Sequence, residues 1–120
     1  MNAVAQYRHV EQSSRVAAAT PHALVTILLD EALDQIDLMQ AALKRGQRGH
    51  EAHARAVSIL YALEASLDYR SGGTTASLMA QVYREARRRL RQAADEFDPD
   101  WCKQARATVA PIADAWAQIA

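Results

Sequence analysis

Four stretches of this sequence repeat apolar residues at steps of three and four, a period that admits little besides helices buried along one face. The first stretch carries Val25, Leu28, Ala32, Ile36, Met39 and Leu43, and the second Ala56, Ile59, Leu63 and Leu67. The third carries Met79, Val82, Ala86, Leu90 and Ala93, and the fourth Trp101, Ala105, Val109, Ile112, Trp116 and Ile119. Breaks separate them. Thr20-Pro21 offers a capping hydroxyl followed by a proline suited to the first helical position, and Asp98-Pro99 repeats that start. Gly46 and Gly49, behind the basic pair Lys44-Arg45, read as a helix stop. Ser71-Gly72-Gly73-Thr74-Thr75 reads as a turn ending in a threonine cap. The spacing therefore predicts helices over about 21–45, 50–69, 75–96 and 99–118. No window alternates strictly between apolar and polar, so no sheet is expected. Helices of this length joined by short turns pack as antiparallel neighbours. The expected fold is all-α, an antiparallel four-helix bundle over 20–119. Residues 1–19 add a short N-terminal helix or strap, within one domain spanning 1–120.

Composition narrows the function. The chain has 120 residues, half of them apolar, enough to bury a core. Its 14 basic and 14 acidic residues cancel, so no global field favours nucleic acid or an anionic membrane. A single cysteine, Cys102, cannot form an internal disulfide and suits a reducing cytoplasm. No secretory signal opens the sequence, and no apolar run approaches the roughly 18 residues of a membrane span.

The candidate functional residues lie on the second helix. Behind its core stripe runs another, Ala54, Val57, Tyr61 and Ala65, where a bundle helix needs only one. These are either small surface residues beside a wide core or a seat for an amphipathic helix from a partner or from the N-terminal strap. On the strap, Tyr7 and Val10 sit one turn apart, with Val16 further on. They either cap the bundle or form a detachable lid over the same seat.

Other motifs point away from chemistry. The run from Arg84 to Arg91 spreads its arginines around a helix, where Glu85 can pair with Arg89. Acids at Glu31, Asp34, Asp37, Asp95 and Glu96 are placed to answer the rest, so a solvated, ion-paired face is expected and not a nucleic-acid site. No Glu-x-x-His pair is present, and His50 and His53 stand beside a glycine at a helix start, so neither a metal nor any other cofactor is expected. Cys102 has no histidine partner indicated by sequence and reads as a passive thiol; the chain is not expected to be an enzyme.

Taken in order, the motifs resemble those of the FliS family of flagellar secretion chaperones. Val16 with Ala19-Thr20-Pro21 is similar to the family's V-x-x-A-[ST]-P, and Leu24 with Leu28-Leu29-Asp30 and Ala32-Leu33 to its L-x-x-x-L-[YF]-D-G-A-[IL]. Ser66-Leu67-Asp68, Gly72-Gly73 with Ala76 and Tyr83, Arg88-Arg89-Leu90 with Ala93, and Ile112 with Asp114-Ala115-Trp116 follow at the family's spacing. The sequence differs at Glu31, where the family has glycine, at Leu29, where an aromatic is common, and at Leu78, where many members have asparagine.

The resemblance implies a cytoplasmic export chaperone without enzymatic activity, cofactor or membrane insertion. Its client would be the C-terminal segment of flagellin, kept from premature polymerisation and escorted to the flagellar type III export gate. On that footing Ala54, Val57, Tyr61 and Ala65 are expected to form part of the client face, with Tyr7 and Val10 as the lid that competes for it. The alternative is a helical adaptor with a non-flagellar protein partner.

Overall fold

The computed structural model describes residues 20–119, all of whose regular structure is helical: α1 (Pro21–Lys44), α2 (His50–Ala65), α3 (Tyr69–Glu96) and α4 (Asp100–Ala117). The start of α1 follows the expected chemistry. Thr20 is extended, its hydroxyl accepts from the Ala23 N–H at 3.1 Å, and Pro21 fills the position whose N–H would lack a partner. At the other end Gly46 takes φ +75°, which a Cβ would disfavour, and lets two N–H groups turn back. Gly46 donates to the Leu43 carbonyl and Gln47 to the Ala42 carbonyl, closing a Schellman motif.

The second connection departs from expectation. Helix α2 stops at Ala65, four residues before the predicted end. Asp68 then caps a new turn, accepting from the N–H groups of Arg70 and Ser71 at 3.0 and 3.2 Å. Residues 71–75 are therefore not a plain turn. Helix α3 already runs from Tyr69, broken only at Gly73, whose φ of 50° and ψ of −124° only glycine adopts easily. At its far end Phe97 takes the left-handed conformation (φ 53°) that glycine usually supplies. The Arg48 guanidinium lies 5.0 Å from the Phe97 ring centre, and Arg48 donates to the Ala94 carbonyl, so packing against the α1–α2 loop accompanies the strain. The start of α4 is shifted from expectation: Pro99 stands at the cap position and not at the first helical one, no side chain caps the helix, and Asp98 accepts from the Asp100 N–H at 2.9 Å in a local turn just before it. Pro111 sits inside α4, on its exposed side.

The helices form a ring in which α1 packs on α2 and α4, and α3 packs on the same two. The core holds Leu29, Ile36, Met39, Leu60, Leu63, Tyr83, Leu90 and Val109, with Ala32, Ala56, Ala86 and Ala105 supplying a small side chain on every helix. Such residues let helix axes approach closely. The expected stripes hold with shifts. Ile27 and Leu29 are buried while Val25 and Leu28 are half-buried; on α2 Leu60 is sealed while Ile59 is half-exposed, as is Leu67 just past its end, and Ile119, expected in the last stripe, lies beyond α4 and is exposed. The α1–α4 seam is fastened at two levels. Arg106 and Asp37 pair at 3.0 Å, and lower down Trp116 stacks on His22 and donates its indole N–H to the His22 carbonyl at 3.1 Å.

Candidate functional site

Burial divides α2 into two faces. Ala56, Leu60 and Leu63 point into the core, leaving the second stripe outside. Ala54 and Ala65 are exposed, Val57 is half-buried, and Tyr61 is 58% exposed, among the most open large apolar side chains described. The four residues stand at helical spacing over three turns, so they form one continuous apolar strip on the surface. Tyr7 and Val10 lie outside the described residues.

The strip has a charged border that the sequence reading missed. The Arg87 guanidinium lies 3.9 Å from the Tyr61 ring centre, a cation–π contact reaching across from α3. Arg87 donates through Nη2 to Glu64 Oε1 at 2.7 Å, and Arg84 donates through Nε to the other oxygen, Oε2, at 2.9 Å. Side-chain exposures of 13% for Arg87 and 18% for Glu64 place this pair at the edge of the interior. Burial alone would raise the Glu64 pKa, but the hydrogen bonds and charges of Arg87 and Arg84 outweigh it and hold the carboxyl below its ordinary value. The Nη1 of Arg87 is buried and meets no acceptor. The spacing of Arg84, Arg87 and Arg91 (i, i+3, i+7) marks one face of α3, the signal from which this border could have been read.

The remaining arginines of the run are answered locally. Arg88 and Arg89 both pair with Glu85, at 2.6 and 2.9 Å, and Arg89 also reaches Gln104 and the Trp101 ring. Arg91 stands 3.9 Å from Asp95. The ion-paired face expected here is present, but its main acid toward α2 is Glu64 and not those proposed from sequence.

The other reactive groups are quiet. Cys102 is fully buried, and burial, with the Asp98 charge, pushes its thiol up to about 11. The pKa of His53 falls below its ordinary value, through burial first and then the neighbouring His50. Among the described residues no group of three or more His, Cys, Asp or Glu is placed to hold a metal ion, and no helix is long and apolar enough to cross a membrane.

Comparison with known proteins places the chain. The family model described as flagellar protein FliS matches residues 2–120. The flagellar secretion chaperone FliS of Salmonella typhimurium is 32% identical over 117 residues, covering 94% of this chain and 86% of that protein. The protein of the same description from Vibrio cholerae is 28% identical over 116 residues, covering 94% and 85%. Flagellar secretion chaperone FliSB of Pseudomonas aeruginosa is 25% identical over 118 residues, covering 97% and 94%.

Proposed function

The chain belongs to the FliS family, and on that premise we propose that it binds the C-terminal segment of flagellin in the cytoplasm, keeps it from polymerising early and delivers it to the flagellar export gate. The observation that carries the reading is the apolar strip Ala54, Val57, Tyr61 and Ala65, left on the outside of a helix whose other face already fills the core. An amphipathic segment laid along such a strip gains helix and buries apolar area in one step. Burial must also offset the entropy of ordering a flexible tail, which favours an extended, shallow surface over a deep pocket. Tyr7 and Val10 are proposed to cover the strip when no client is present, so that client and strap compete.

The test is calorimetric titration of the protein with a peptide from the end of the same organism's flagellin. The double variant Val57→Asp, Tyr61→Asp is expected to weaken binding by at least about a hundredfold, since one buried aromatic anchor contributes about 2 kcal/mol or more at such interfaces and a carboxylate at position 57 would be desolvated beneath the client. Helical content should stay unchanged, because neither residue belongs to the sealed core. Equal affinity for the unaltered and altered proteins would refute this placement of the site.

A further inference from the structure

Resting on that reading, we propose that the Tyr61 strip selects a client helix that carries a carboxylate beside its apolar stripe, and that Arg84 and Arg87 receive it. Three observations converge on this. The first is charge. Two guanidinium groups share the single carboxylate of Glu64, so the border of the strip holds one positive charge more than it answers. The similar group at Glu85 is turned elsewhere: Arg89 there points to Trp101 and Gln104 of α4.

The second is unmet donor capacity. Arg87 Nη1 is buried without an acceptor, an uncommon state for a cation's N–H group. Arg84 holds Glu64 through Nε, and its terminal nitrogens make no hydrogen bond among the described residues. The third is access. Arg84 is 58% exposed, and what lies over Arg87 is the Tyr61 ring, itself 58% exposed. A carboxylate arriving at Arg84 that displaces this ring meets Nη1 of Arg87, where its hydrogen bonds are charge-assisted and desolvated.

The occupant follows from the neighbours of these cations. Ala54, Val57 and Ala65 extend the apolar strip over 12 residues of α2, about 17 Å of helix. A client helix of similar length therefore buries its stripe here and sets one acid against the border. A nucleic acid would find no such use for the apolar strip.

The experiment repeats the flagellin-peptide titration with Arg84→Gln and Arg87→Gln proteins, and with peptides in which each Asp or Glu is changed in turn to its amide. Arg84→Gln, at an exposed position, is expected to bind about tenfold more weakly and to flatten the salt dependence. One peptide amide variant should show the same loss and lose nothing further against Arg84→Gln, as a coupled pair requires. Binding of both arginine variants within about twofold of the unaltered protein, or losses that simply add for every peptide acid, would overturn the inference while leaving the flagellin reading standing. A flagellin peptide that fails to bind the unaltered protein overturns both, and displacement of bound peptide by a single-stranded oligonucleotide would reassign the cations to phosphate.

Discussion

Glu64→Gln isolates the interaction that joins α2 to α3. The change removes a charge that neutralises two arginines but keeps the volume and one acceptor oxygen. Breaking a buried ion pair from one side costs about 3–5 kcal/mol. The amide oxygen still accepts from Arg87, and the exposed Arg84 adds less than about 1 kcal/mol. Arg87 and Glu64 are 13% and 18% exposed, between the buried and the surface case, so the expected loss near neutral pH is about 1–2 kcal/mol. That is a large part of the roughly 5–15 kcal/mol that holds a typical domain folded. The loss depends on pH. The Glu64 pKa is lower folded than unfolded, so its stabilisation is fully present above the unfolded value, near 4.5, and disappears as pH falls through the folded value. Asp68 and Glu85 are also held low, but both remain in the two proteins and cancel in the difference. Urea unfolding followed by circular dichroism at about pH 7 and about pH 3 should show a wide gap that narrows in acid. A neutral-pH gap below about 0.5 kcal/mol, or one equal at both pH values, would refute the account of Glu64 as the ionised centre of this border.

Gly73→Ala is expected to cost about 1–3 kcal/mol, because φ 50° and ψ −124° strain any residue with a Cβ even though open space surrounds the site; an unchanged urea midpoint would show that the break in α3 does not need glycine. Cys102 should react with a thiol alkylating agent at neutral pH only as fast as the protein opens, given its full burial and a pKa of about 11. Mass spectrometry across a denaturant series reads this, and rapid labelling under native conditions would contradict it.

The parts legible in the sequence are those governed by local rules. Thr20-Pro21 announces a helix start because a cap acts within three residues, and Asp98-Pro99 marks the next start to within one residue although Asp98 does not cap it. The outer strip of α2 was visible because helical period assigns faces without knowledge of neighbours, and Tyr61 does stand exposed. Asp68 was passed over because the double glycine that follows dominated the reading, although a carboxylate three residues before Ser71 is itself a capping signal. The Glu64–Arg84–Arg87 border was legible only on its α3 side, where the spacing puts Arg84 and Arg87 on one face; which acid they meet depends on how far α2 is shifted along α3. Phe97 is a different kind of miss. A left-handed helix end reads as glycine, and here a tertiary contact with Arg48 goes with an aromatic in its place.

The stack of Trp116 on His22 bears on how the chain assembles. Three seams of the ring join helices adjacent in sequence, whereas the hydrogen bond from Trp116 to His22 closes a loop of 94 residues. Closure entropy rises with loop length, so hairpins form before the ends of the ring meet. By that reasoning the α1–α4 seam is the last to zip during folding, and the indole at position 116 is a built-in reporter of that event.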